Sequence, residues 1–187
     1  RYHDRVLKGL RGLDLTRVLA GPFGTMLLAD LGADVVKVED PDGGDPTRVI
    51  GGGPASPYFV AVNRNKRSIA IDLKKKDGQA LLARLAARAD VLWHNFRPGA
   101  AKKLGCDLEV FRAANPRLVT CAITSFGATG PYRDLPAFDL VIQAMSGAMS
   151  ATGEPGGPPC RHGIPTGDLA GGLFAAVGTL AALHERA

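Results

Sequence analysis

Short runs of β-branched and aliphatic residues alternate with longer stretches of helical period along this chain, and that alternation limits the folds open to it. Leu13 to Leu19 reads as a strand running into a turn at Ala20-Gly21-Pro22. Phe23 to Leu31 follows with Phe23, Met26, Leu27 and Leu31 at helical spacing. Asp34 to Val38, Ser68 to Asp72, Asp90 to Trp93 and Arg117 to Ile123 read as four further strands. Asp77 to Ala89 sets Leu81, Leu82, Leu85 and Ala89 on one helical face and Arg84 and Arg88 on another, and Asp107 is placed to cap a short helix through Ala113. Gly- and Pro-rich loops are expected over Asp40 to Pro57, Thr124 to Asp134 and Ala151 to Pro165, with helices from Asp139 to Met149 and from near Asp168. Strands joined through helices require crossover connections, so the expected fold class is α/β, a doubly wound, mostly parallel sheet. With 187 residues, no repeat and no dividing linker, one domain is expected.

Composition narrows the function. The 24 glycines and 13 prolines imply many tight turns without reaching low-complexity levels. A net charge of +5 favours an anionic partner. Arg64, Lys66, Arg67, Lys74, Lys75 and Lys76 face a single acid, Asp72, within one segment; this is either a solvated basic surface or a set of charges converging on phosphate. Aromatic residues make up only 6% and do not interleave with the basic ones, which argues against nucleic-acid binding. Cys106, Cys121 and Cys160 lie far apart with no CxxC pair, so neither a metal knuckle nor a disulfide framework is expected, and a reducing, cytoplasmic setting is the simplest reading, with mitochondrial matrix and peroxisome left open. No signal peptide is evident. The apolar run Leu169 to Leu183, 15 residues with three glycines, is too short to span a bilayer and reads as a buried helix, so no membrane partner is expected. A first residue of Arg, and a last helix without a stop signal, are in keeping with a piece of a longer polypeptide.

Ligands of open α/β sheets collect beyond the C-terminal strand ends. Val18 to Gly24, Val38 to Arg48, Asn95 to Lys103 and Ser125 to Tyr132 occupy such positions. The turn Ala20-Gly21-Pro22-Phe23-Gly24 is not the dinucleotide fingerprint, and no P-loop exists. Asn95-Phe96-Arg97-Pro98-Gly99 offers an amide, an aromatic face and a guanidinium that suit a heterocycle attached to phosphate, or else forms a simple Pro-Gly turn. Asp168 opens a long apolar helix, where aspartate is ordinarily an N-cap. Gly167, Gly171 and Gly172 around it sacrifice helical stability unless something approaches the backbone closely, and an ionised carboxylate there can act as a nucleophile. His3, His94, His162 and His184 belong to no catalytic motif.

Six stretches in order, residues 13–48, 63–74, 89–99, 115–131, 137–153 and 163–172, together resemble the class III CoA-transferase family, the group of formyl-CoA and carnitine CoA-transferases. The resemblance implies a Rossmann-like CoA-binding domain with Asp168 as catalytic nucleophile, which accepts the acyl group of an acyl-CoA and then CoA itself before passing CoA to a free carboxylic acid. It implies CoA contacts at Val18, Leu19, Ile71, Lys74, Asn95, Phe96, Arg97, Ala100, Lys103 and Leu104, with CoA as substrate and neither a metal nor a permanently bound cofactor. Leu19 replaces the Gln of some members, and Lys103 replaces a phosphate-binding Arg. Asp40 and Pro136 stand where some members carry basic CoA contacts. Related 2-methylacyl-CoA racemases use a His where this chain has Phe138, which cannot exchange a proton; racemisation is the weaker alternative, and a non-catalytic CoA-binding or assembly module is another. The family's longer members form interlocked homodimers and carry a smaller C-terminal domain, so these 187 residues alone are expected to bind CoA but turn over poorly.

Overall fold

The structure, a computed structural model, describes residues 6–50 and 56–186; His3 and residues 51–55 of the expected Asp40 to Pro57 loop lie outside the described residues. Strands β1 (Arg11–Asp14), β2 (Asp34–Glu39), β3 (Lys66–Ala70), β4 (Val91–His94) and β5 (Val119–Ala122) form one sheet in the order β3-β2-β1-β4-β5. Every pairing is parallel, as the crossover argument requires. Helices are α1 (Ala20–Asp30), α2 (Pro57–Asn63), α3 (Lys76–Ala86), α4 (Pro98–Lys103), α5 (Leu108–Ala114), α6 (Asp139–Met145) and α7 (Thr166–Arg186).

Period-two alternation along the strands builds two cores. Leu13, Val38 and Leu92 pack with Leu82, Ala86 and Phe111 on the side of α3 and α5. On the other side Val35, Val91 and Trp93 pack with Leu28, Ala29 and Ala176 of α1 and α7. The same alternation turns Asp14, Lys37 and Glu39 towards the α1 side, where their charges must be paired.

Element boundaries shift for local reasons. β1 stops at Asp14 instead of running to Leu19, because the Asp14 carboxylate accepts the Thr16 N–H (2.9 Å) and Val18 takes a left-handed φ of 71°. β3 starts earlier than expected, at Lys66, and α6 ends at Met145 rather than Met149. Helices α2 and α4 replace parts of what read as loop and turn. Each opens on a proline, which fits the first helical turn because its missing N–H has no partner to lose there.

The expectation of a buried terminal helix is corrected. α7 is 21 residues long and apolar enough to cross a membrane by length and composition, yet only Gly172, Ala176 and Thr179 are buried. Phe174 is 75% exposed, and Leu173 and Val177 are exposed too. One face packs on α1 and β5; the other is open. Contact with α1 is backbone to backbone: a Cβ on Gly172 would stand 2.3 Å from the Ala20 carbonyl oxygen, and one on Gly24 2.6 Å from that of Gly172.

Candidate active site

The strand order reverses direction at β1, so the loops after β1 and β4 diverge over a crevice at the sheet's C-terminal edge. Asn95, directly after β4, spans it. Its side-chain oxygen accepts the Arg17 N–H (2.9 Å), and its amide nitrogen donates to the Arg17 carbonyl (2.7 Å). Beside this clamp lies a cavity of about 270 Å³ lined by Arg17, Val38, Glu39, Asp40, Ile71, Leu73, Lys74, Phe96 and Leu104. The Arg17 guanidinium sits 5.1 Å from the centre of the Phe96 ring, placing a cation and an aromatic face together. Lys74 reaches within 3.4 Å of the Asp40 carboxylate, which offsets part of its charge.

Beneath the turn after β1 is a buried ionic layer. Lys66 Nζ donates to Asp14 Oδ2, the Pro22 carbonyl and Asn63 Oδ1, each at 2.9 Å. Asp14 also accepts the hydroxyls of Thr16 and Thr25. Burial alone would push its carboxyl up, but Lys66, Lys37 and the Thr16 hydroxyl together hold it far below the usual carboxylate range. Lys37 Nζ meets Asp45 Oδ2 at 2.9 Å and the Thr16 carbonyl at 2.8 Å. Asp45 Oδ1 in turn accepts the Val18 N–H at 3.4 Å. A β-branched residue at positive φ is costly, and here the turn is held from both sides, by Asp45 below and by the Asn95 clamp on Arg17. Glu39 completes the layer. Burial pushes it up, while the Arg48 fork, the Ser68 hydroxyl and the Asp45 N–H bring it down to about 2.

Asp168 is the third residue of α7, inside the first turn and not its cap. The capping group comes from elsewhere: Asp139 Oδ1 accepts the N–H groups of Gly167 (2.7 Å) and Asp168 (3.2 Å). Among the described residues none donates a hydrogen bond to the Asp168 carboxylate. Half-burial, reinforced by the Asp139 charge, raises its pKa above the ordinary value. Gly171 lies one turn on, on the same helical face, and nothing stands within 4 Å of where its Cβ would be. The glycines around Asp168 therefore have separate causes. Gly172 admits α1, Gly167 admits the Asp139 carboxylate (3.0 Å from a Cβ position), and Gly171 leaves open space beside the acid. Burial, and after it the charges of Asp168 and Asp45, pushes the Tyr58 hydroxyl on α2 above its ordinary pKa.

Of the residues expected to meet CoA, Ile71, Lys74, Phe96 and Leu104 line one cavity. Asn95 holds Arg17 with both ends of its amide, Val18 forms the strained turn, and Leu19 is buried as it leads into α1. Arg97, Ala100 and Lys103 lie at the start and along α4, outside the cavity wall. Arg17, Asp139 and Tyr58 escaped the reading of the sequence, although Arg17 immediately precedes a segment singled out there. The basic cluster proves mostly paired: Arg64 with Asp30, Arg67 with Asp34, Lys75 with Asp72 and Lys66 in the interior. Phe138, 78% exposed, precedes α6.

Residues 7–187 match the model of CoA-transferase family III. The chain is 46% identical over 186 residues to succinate–glutarate CoA-transferase of Agrobacterium fabrum, an alignment covering 95% of this chain and 46% of that protein. It is 48% identical over 181 residues to acetyl-CoA:oxalate CoA-transferase of Acetobacter aceti, again covering 95% and 46%. A crystal structure of a CaiB/BaiF family protein from Brucella suis superposes with a TM-score of 0.92 at 44% identity, over 97% of this chain and 50% of that one. The chain spans about half the length of these relatives. A parallel sheet with a crevice at its switch point, an acid presented on the first turn of α7 and a match over nearly the whole sequence lead to one conclusion: this chain belongs to CoA-transferase family III.

Proposed function

We propose that this chain supplies the CoA-binding face and the nucleophile of an enzyme that moves CoA from an acyl-CoA to a free carboxylic acid. The observation that carries the reading is the Asp168 carboxylate, half-buried, with open helix surface beside it at Gly171 and no hydrogen bond from any described residue to its oxygens. A carboxylate raised above its ordinary pKa is more basic, hence a better nucleophile in its ionised form.

In this reaction an Asp168 oxygen attacks the thioester carbonyl, the C–S bond breaks, and an aspartyl-acyl anhydride and CoA thiolate result. The thiolate attacks the aspartyl carbonyl, releasing the donor acid and leaving CoA as a thioester on Asp168. The acceptor carboxylate attacks that carbonyl, forming a second anhydride and freeing the thiolate. Thiolate attack on the new acyl carbonyl then yields the product thioester and restores Asp168. Each step conserves the activated acyl bond, which water would destroy, so the site works only when covered.

The cavity between Arg17, Lys74 and Phe96 takes the nucleotide end of CoA. At about 270 Å³ it accepts one end of so long a molecule and not the whole. Val18 and Leu19 then stand beside the thioester, as the resemblance to the family implies. The donor and acceptor named in the relatives, dicarboxylic acids among them, define the acid class to screen first. The test is Asp168→Asn in the natural polypeptide that carries this chain. Transfer should disappear while CoA still binds; retained turnover would refute the assignment.

A further inference from the structure

The first turn of α7 is held by a chain of hydrogen bonds that begins in the Gly- and Pro-rich loop before it. The His162 backbone N–H donates to Gln143 Oε1 (2.8 Å). Gln143, 3% exposed, passes its amide to Asp139 Oδ2 (2.6 Å), and Asp139 Oδ1 caps the Gly167 and Asp168 N–H groups. The His162 ring forms a second arm. Nδ1 lies 2.7 Å from Thr166 Oγ1, on the first residue of α7, and Nε2 lies 3.0 Å from Thr152 Oγ1. The Thr152 hydroxyl donates to the Ala148 carbonyl (2.8 Å), so its oxygen accepts from Nε2–H; Nδ1 then accepts the Thr166 hydroxyl proton. One side chain thus joins both ends of a loop that has no helix or strand between Thr152 and Thr166, and its Nδ1 contact, like the path from its backbone N–H through Gln143 and Asp139, ends on the turn that presents Asp168.

We infer that His162 is a positioning residue for Asp168, setting the angle at which α7's first turn offers its carboxylate to the thioester. The inference rests on Asp168 being the nucleophile. His162 touches neither the CoA cavity nor the carboxylate, so its loss should act on the rate of acylation and not on CoA affinity. A displaced nucleophile is costly, since misplacement of about 1 Å lowers rates up to about a hundredfold.

The experiment compares His162→Leu, His162→Asn, Thr166→Val and Asp168→Asn in the natural polypeptide carrying this chain. Acylation is read by single-turnover appearance of the aspartyl adduct from succinyl-CoA, normalised to folded protein, and CoA affinity by calorimetry. His162→Leu should slow acylation about tenfold with CoA affinity within about twofold of the parent. Thr166→Val, a milder change, should slow it in the same direction. Asn places an acceptor where Nδ1 stood, so His162→Asn should recover most of the rate. A parent-like rate in His162→Leu, or a defect in His162→Asn equal to that of His162→Leu, would overturn the inference. Asp168→Asn separates the two levels. If it still forms the adduct, the nucleophile reading falls; if it is dead while His162→Leu reacts normally, the positioning role alone falls.

Discussion

Neighbouring glycines on α7 should respond to the same substitution with opposite signs. At Gly172 a Cβ would stand 2.3 Å from the Ala20 carbonyl oxygen, 3.1 Å from the Phe23 ring and 3.2 Å from the Gly24 nitrogen. Ordinary contact begins near 3.4 Å, and the carbonyl belongs to α1's backbone, so α7 must move away by about 1 Å. Overpacking of this kind costs about 1–3 kcal/mol, less the gain of about 1 kcal/mol that Ala brings as a helix former. Gly172→Ala should therefore destabilise by up to about 2 kcal/mol. Because the displaced segment carries Asp168, it should also lower the transfer rate by about tenfold to a hundredfold. Gly171→Ala meets nothing within 4 Å and gains the helix propensity outright, stabilising by up to about 1 kcal/mol. Urea unfolding of both variants reads the stabilities, and steady-state transfer reads the rates. Equal stability changes at the two positions, or a Gly172→Ala variant more stable than the parent, would refute the backbone contact between α1 and α7.

The buried pair under the β1 turn should be equally unforgiving, as Lys66→Met strands the Asp14 carboxylate in the interior and should cost about 3–5 kcal/mol at neutral pH, measured by urea unfolding. Asp14 and Glu39 are both depressed in the folded state. The stability they contribute is complete above about pH 5 and is lost as pH falls through the unfolded carboxylate range near ~4 towards the folded value of Glu39, about 2; an acid titration followed by circular dichroism checks this. Lys74 lies at the cavity rim and is partly offset by Asp40, so Lys74→Ala should weaken CoA only about threefold to fivefold, with the loss shrinking at high salt, as calorimetry would show.

The sheet was legible because period-two and helical periods alternate clearly along the chain, and parallel order follows from crossovers. What escaped the sequence was set by contacts between distant segments. Lys66, counted among a solvated or phosphate-facing basic cluster, is an interior cation because β3 faces Asp14 across β2, a pairing that local charge cannot reveal. Asp168 occupied the position of a cap, but the cap is Asp139, 29 residues earlier, and that exchange leaves the Asp168 carboxylate available for chemistry. The burial expected for α7 was overstated because composition alone does not show which face of an apolar helix finds a partner. Helices α2 and α4 hid behind prolines read as turn formers when each in fact begins a helix.

If Asp168 is the nucleophile, an acceptor acid labelled with heavy oxygen must leave one labelled atom on that side chain when the second anhydride is cleaved by the thiolate. Mass mapping of the natural polypeptide after multiple turnovers in labelled succinate should find the heavy oxygen in the peptide containing Asp168 and in no other. Sustained transfer with that peptide unlabelled would contradict the account.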